Sequence, residues 1–165
     1  MYKPACGRSG PMDRAALRRV GHDEPVGSAR RSNQDLQPVM VVNDHGLTLG
    51  VDSAGTWLIW DQHHAASPVR DRLLWLLPLL ERAPDVVVPG IAAIESGGEL
   101  VSALLRSALG SASQYWASMA LRWLEAGYPV EEFANILAAL KDSPLQTQSV
   151  RHRALRLWRK AVSIC

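Results

Sequence analysis

The sequence has 165 residues, of which 47% are hydrophobic and 21% charged, and its formal net charge at pH 7 is +2. This length fits one domain that buries a core without metal or disulfide support, and the small net charge argues against strong attraction to nucleic acid or membrane. The longest apolar run, 73–80, is far shorter than the roughly 20 residues that span a bilayer. We therefore expect a cytoplasmic protein with no membrane segment.

The first 38 residues predict a disordered basic tail, because they are rich in Gly, Pro, Ser and Arg and their apolar residues are scattered. Residues 1–39 hold seven Lys and Arg against four Asp and Glu, whereas residues 40–165 hold eleven against twelve. Alternatively, translation starts at Met12 or Met40 and part of the tail is an artefact. Residues 39–165 are expected to form one globular domain.

The two cysteines, Cys6 and Cys165, lie near opposite ends of the sequence. This placement indicates neither a disulfide framework nor a zinc site. The sequence also carries no cofactor-binding fingerprint, so we expect no cofactor and no metal.

Residues 39–60 predict a small antiparallel β meander. Three short β-prone runs are separated by turn sequences at 43–46 and 52–55. Helices must cover one face, because so small a meander is marginal in water. Trp57 and Trp60 are three residues apart on the last strand and face opposite sides, which makes Trp57 a candidate exposed contact residue.

One cluster after the meander has acid–base or metal-binding potential: Asp61, His63 and His64, with Asp44 and His45 in an earlier turn. A metal-dependent or acid–base enzyme using Asp61, His63 and His64 is therefore one hypothesis. Against it, neighbouring strand residues point to opposite faces, and the sequence has no HExxH, Gly-x-Ser-x-Gly or phosphate-loop motif. A polar loop between a strand and a helix explains the same residues.

Residues 67–162 predict a run of helices. Ser67 and Pro68 are typical of an N-cap and a first helical residue, for an almost wholly apolar helix that ends near Arg82 and is kinked at Pro78. Residues 86–95 fit a fourth strand or a short helix. Four more helices follow, the first with capping-box spacing at 96–99. The predicted fold is α+β and mainly α, with the meander packed on a helical bundle or a short HEAT-like array.

Residues 149–157, Ser-Val-Arg-His-Arg-Ala-Leu-Arg-Leu, are similar to the start of a helix in HEAT-like repeats, and the helices at 114–126 and 129–141 resemble a repeat hairpin. The resemblance covers residues 112–162. It implies that Arg151 pairs with an acidic residue of a neighbouring helix or loop. Asp142 is the nearest such residue, so a structural ion pair between Arg151 and Asp142 is expected.

The last helix divides into an apolar side and a basic side at helical spacing. The basic side supplies the candidate partner-binding residues Arg153, Arg156, Arg159 and Lys160. It is open to three interpretations: a solvated surface, a site for an acidic protein, or a nucleic-acid site. No aromatic residues interleave the basic ones, which weakens a stacking mode of nucleic-acid binding.

The absence of recognisable catalytic chemistry favours a non-enzymatic protein-interaction module, such as an adaptor or an immunity-type inhibitor of a partner protein. The enzyme using Asp61, His63 and His64 and the nucleic-acid binder using the last helix remain the alternatives.

Overall fold

A computed structural model describes the backbone of residues 36–164 and the side chains of residues 36–163. The chain is mainly helical, with one four-stranded antiparallel sheet on its N-terminal side, so the predicted α+β fold is confirmed. Most of the predicted tail lies outside the described residues. Its last two residues, Gln37 and Pro38, belong to the first strand.

The sheet follows chain order, and each strand pairs with the next. Its strands are β1 (Gln37–Val41), β2 (Thr48–Val51), β3 (Trp57–Trp60) and β4 (Ser67–Pro68). The predicted meander is therefore confirmed and gains a short fourth strand. Pro38 and a register shift between Pro38 and Met40 interrupt edge strand β1, and such features protect an open edge from further pairing.

Each loop of the sheet begins with an Asn or Asp that caps its own turn. Asn43, Asp52 and Asp61 each accept two backbone N–H groups through the side-chain Oδ1 atom. Asn and Asp are favoured in turns because their short side chains satisfy nearby amides in this way. The turns are therefore encoded locally, which is why the sequence pattern predicts them correctly.

The apolar segment after the sheet forms 3-10 helices at Val69–Asp71 and Leu73–Glu81, not the predicted α-helix. Ser67 and Pro68 do not start a helix there, because they pair with Ile59 and Leu58 of β3. Pro78 also lacks the N–H group that an α-helix would need at that position.

The 3-10 geometry decides which side chains of Leu73–Glu81 reach the surface. Residues three apart eclipse in such a helix, so Trp75, Pro78 and Glu81 share one column. These three are partly or fully exposed, as are Leu73 and Leu74 at the start of the helix, whereas the later residues of the other two columns are buried. The buried residues are Leu76, Leu77, Leu79 and Leu80.

The rest of the described chain is helical. Its α-helices are α1 (Pro84–Ala92), α2 (Gly97–Gly110), α3 (Gln114–Glu125), α4 (Ala134–Asp142) and α5 (Gln148–Ile164), with a 3-10 turn at Glu131–Phe133 before α4. The ambiguous segment 86–95 is thus largely helix. Helix α2 packs against α3, and α4 packs against α5.

The predicted capping box at the start of α2 is wrong. Ser96 has a left-handed backbone, and its side chain makes no cap hydrogen bond. Its Oγ instead lies 3.2 Å from the indole nitrogen of Trp57, which donates to it. The hydroxyl thus ties the sheet to the α1–α2 turn.

One hydrophobic core joins the sheet, the 3-10 helices and the α-helices. Trp123 is fully buried, and its indole N–H donates to the carbonyl of Arg82 at 2.9 Å. This bond satisfies a polar group that would otherwise be costly to bury. Among the described residues, no helix is long and apolar enough to cross a membrane.

Candidate functional site

Two of the predicted partner-binding arginines, Arg153 and Arg156, form ion pairs that join α5 to α3. Arg153 donates through Nε and a terminal nitrogen to both carboxylate oxygens of Glu125 on α3, at 3.0 and 2.8 Å, and also bonds the carbonyl of Ser118. Arg156 reaches the same carboxylate at 3.3 Å. A two-point contact of this kind fixes the orientation of the guanidinium against the carboxylate. The main role of Arg153 in the structure is therefore to connect α5 to α3.

The other two predicted contact residues, Arg159 and Lys160, are exposed. Within residues 36–163, neither makes an ion pair. The free part of the predicted basic face is therefore nearer the C-terminal end of α5.

The expected ion pair between Arg151 and Asp142 is not formed. Asp142 instead pairs with its sequence neighbour Lys141, whose ammonium also lies 5.1 Å from the ring centre of Trp158. Arg151 is partly buried, and its Nε atom is fully buried without a hydrogen-bond partner among the described residues. Lys141 pairs with Asp142 in place of Arg151, because it is the sequence neighbour of Asp142 and its ammonium is held near the Trp158 ring.

The expectation that Trp57 is exposed is wrong. Its side chain is 9% exposed and belongs to the core, with the indole N–H bonded to Ser96. The strand period places Trp57 and Trp60 on opposite faces, but it does not say which face the helices cover. Trp57 is the covered residue, and Trp60 is only partly buried.

The α3–α5 link predicts an acid-sensitive stability. The hydrogen bond from Arg153 lowers the pKa of Glu125 below its ordinary 4.5, with partial burial opposing the shift. Because the folded pKa is depressed, the stabilisation is complete above pH 4.5 and is lost as the pH falls through the lower folded pKa. We expect Glu125→Gln to reduce the free energy of unfolding by about 1 kcal/mol at pH 7.

Denaturant unfolding across pH tests this expectation. The difference between wild type and Glu125→Gln should shrink as the pH drops below 4.5. Glu131→Gln is the matched control, because Glu131 is exposed and has no ion pair among the described residues. A difference that does not change with pH would show that the charge of Glu125 is not the cause.

The histidine cluster lies at one end of the sheet. Asp61 accepts the backbone N–H groups of His63 and His64 at 2.7 Å each, and its carboxylate also lies 2.9 Å from Nδ1 of His64. The side-chain bond from His64 is the main reason why the pKa of Asp61 is lowered. Asp61 therefore stays ionised and orders its loop, and the His64 ring packs in a T-shaped arrangement against Trp75 at a centroid distance of 5.6 Å.

The structure brings the two predicted polar turns together. Asp44 and His45 from the β1–β2 turn and Asp61 and His63 from the β3–β4 loop line one open depression. Among the described residues, no three His, Cys, Asp or Glu side chains are grouped so that they could hold a metal ion. The hydrogen bonds of Asp61 all go to residues of its own loop among those described, and they order that loop.

An apolar groove adjoins this depression, and it shares His45 and Asp61 with it. We call it the Trp75–Trp116 groove. Leu74 lines the groove with 62% of its surface exposed, and it adds apolar surface beside the two tryptophans. The groove holds about 460 Å³ and is lined by Asn43, His45, Leu47, Asp61, Leu74, Trp75, Leu77, Pro78 and Trp116.

Hydrogen bonds between α3 and the 3-10 helix Leu73–Glu81 set the spacing of the two tryptophans. Arg122 of α3 donates to the carbonyls of Leu80 and Glu81, at 3.0 and 2.7 Å. The Tyr115 hydroxyl donates to the Glu81 carboxylate at 2.9 Å, a contact that raises the pKa of the tyrosine. These bonds hold α3, which carries Trp116, against the 3-10 helix that carries Trp75.

Aromatic and cationic side chains surround the groove. The Arg72 guanidinium carbon lies 4.5 Å from the ring centre of Trp75, and Tyr115 packs edge-on against Trp116 at 4.8 Å. Trp, Tyr and Arg are the residue types that contribute most binding energy at protein interfaces. The sequence analysis missed this site because tryptophans at apolar helical positions have the pattern expected of core residues. Trp75 and Trp116 do touch the core, but each is only partly buried.

Comparisons with protein families, with curated proteins and with solved structures gave no match. The resemblance of residues 112–162 to HEAT-like repeats therefore stays a prediction.

Proposed function

We propose that this chain is a non-enzymatic protein-interaction module whose main contact surface is the Trp75–Trp116 groove. The observation that carries the proposal is the exposure of Leu74 beside the half-buried rings of Trp75 and Trp116. Exposed apolar surface that is contiguous, concave and rimmed by polar groups is typical of protein-binding sites.

The chemistry of the groove suits an apolar side chain of a protein partner. Its apolar lining includes Leu77, Pro78 and the two indole rings. At the rim, Asn43, His45 and Asp61 can form polar contacts with a backbone or a polar side chain. An apolar centre with a polar rim is the usual arrangement of such interfaces.

Several finer expectations belong to the same proposal. We expect the chain to act in the cytoplasm, as an adaptor or as an inhibitor that covers part of its partner. The proposal assigns the polar loop of Asp61, His63 and His64 to the rim of the groove rather than to catalysis. Its support is the engagement of the Asp61 carboxylate with three N–H groups of its own loop.

The test compares two exposed aliphatic positions. Leu74→Asp places a charge in the groove, whereas Val86→Asp, at 66% exposure on α1, places the same charge outside it. Both variants should fold, because both side chains face water. We expect a stoichiometric partner to be recovered by crosslinking with wild type and with Val86→Asp, and to be lost with Leu74→Asp.

The recovered partner is then purified and its affinity for each variant measured. Equal affinities for wild type and Leu74→Asp would refute the groove as the contact surface. The groove would also be refuted if Val86→Asp and Leu74→Asp weakened binding equally, because the effect would then come from the added charge and not from its position.

A further inference from the structure

The cations without a partner are concentrated on one helix. Among the described residues, Arg151, Arg159 and Lys160 make no side-chain hydrogen bond, ion pair or cation–π contact, and all three lie on α5. The other described Lys and Arg residues each have an acidic, carbonyl or aromatic partner: Arg70, Arg72, Arg82, Arg106, Arg122, Lys141, Arg153 and Arg156. The positive charge of the fold is therefore uncompensated mainly along α5.

Helical spacing places two of these groups, Arg151 and Arg159, along one stripe. Leu155 lies four residues from each of them, and His152 lies three residues before Leu155, so these side chains are neighbours on the helix surface. Arg151 and Arg159 are separated by about 12 Å along the axis, the rise of eight helical residues. An extended or helical segment with two acidic residues can bridge that distance.

A depression lies at the start of the stripe. It holds about 240 Å³ between the end of α4 and the first half of α5 and is lined by Lys141, Asp142, Gln148, Arg151, His152 and Leu155. The first turn of α5 has no acidic residue, so the positive end of the helix dipole adds to the field there. Asp142 opposes that field, but its charge is paired with Lys141.

Arg151 is the least satisfied of these groups. Its Nε is buried without a partner, so the residue carries a desolvation cost that no described contact offsets. An anionic oxygen beside the guanidinium would offset that cost by direct electrostatic attraction.

We propose that the end of α4 and the α5 stripe form a binding site for an acidic segment of a protein partner, held by Arg151, His152 and Arg159. The site shares no residue with the Trp75–Trp116 groove, so it can be tested independently of the function proposed above. A short acidic segment needs only local charge complementarity. Nucleic acid is disfavoured because residues 40–165 carry twelve acidic against eleven basic residues, which provides no general attraction for a long polyanion.

The experiment titrates the full chain into a short fluorescent peptide rich in Glu, and compares a Gln-substituted peptide and duplex DNA. We expect the Glu peptide alone to bind, and Arg159→Glu or Arg151→Gln to weaken it roughly tenfold, since each removes a charge-assisted contact. Asp142→Asn should tighten binding about threefold by removing the opposing charge.

Two control variants test whether the effect is specific to α5. Arg70→Glu removes an exposed arginine outside α5 and should leave peptide affinity unchanged, as should Leu74→Asp in the groove. Because Arg151 is partly buried, its variant can unfold, whereas Arg159 and Asp142 are exposed and their variants should keep the fold. The proposal would be overturned if the Glu peptide does not bind, or if Arg159→Glu binds it as tightly as wild type does. Tighter binding of duplex DNA through the same residues would also overturn it.

Discussion

Trp75→Ala is expected to weaken binding of the protein partner by about 2 kcal/mol or more, roughly thirtyfold in Kd. Trp75 lies at the centre of the groove, with Arg72 over its ring and the edge of His64 against it. Truncation would remove the largest apolar wall and release both neighbours. Titration calorimetry with the purified partner measures the effect, together with a thermal melt of the variant alone.

Trp158→Ala is the matched control for that measurement. Trp158 is also partly buried, also packs on the core and also carries a cation, Lys141, over its ring, but it lies on α5 outside the groove. Both variants should lose comparable stability, so a difference in affinity isolates the contact. If the two variants bind the partner equally well, Trp75 is a structural residue.

Gly97→Ala is expected to reduce the free energy of unfolding by about 3 kcal/mol, near the upper end for overpacking a tight site. A Cβ atom at this position would lie 1.9 Å from the carbonyl oxygen of Ile91 and 2.6 Å from its carbonyl carbon. Both atoms are backbone, so no side-chain rotation relieves the overlap. The α1–α2 turn must open, and with it the contact between Ser96 and Trp57.

The neighbouring Gly98 provides the control, because a Cβ atom there meets nothing within 4 Å. Gly98→Ala should be neutral or stabilise by a few tenths of a kcal/mol, up to about 1 kcal/mol, through the unfolded state. Urea unfolding of both variants separates the two cases. Equal stabilities for Gly97→Ala and Gly98→Ala would show that the turn relaxes without cost.

Local patterns were sufficient to predict the first three strands of the sheet and the helical C-terminal half. Asn43, Asp52 and Asp61 satisfy amides only a few residues away, so their turns can be read from sequence. The apolar segment 73–81 was harder, because an almost continuous run of Leu has the same pattern in an α-helix and in a 3-10 helix. The start of the segment was equally hard to predict, because Ser67 and Pro68 pair with β3, and that pairing is a tertiary contact.

The candidate sites were less predictable, because they depend on which residues meet. Trp75 and Trp116 are far apart in sequence, and they meet only because α3 packs on the 3-10 helix, a contact to which the hydrogen bonds from Arg122 contribute. The basic face of α5 was visible from helical spacing. The sequence did not show which of its basic residues are already paired, because their partner Glu125 lies on another helix.

Hydrogen–deuterium exchange of the chain with and without its bound partner tests the central claim most directly, since it locates the contact surface without mutation. Binding in the Trp75–Trp116 groove predicts slower exchange at backbone amides of residues 43–47, 61–64 and 72–77 and around Trp116, the segments that line the groove and its rim. Unchanged exchange in all of these segments, with protection elsewhere in the chain, would contradict the account.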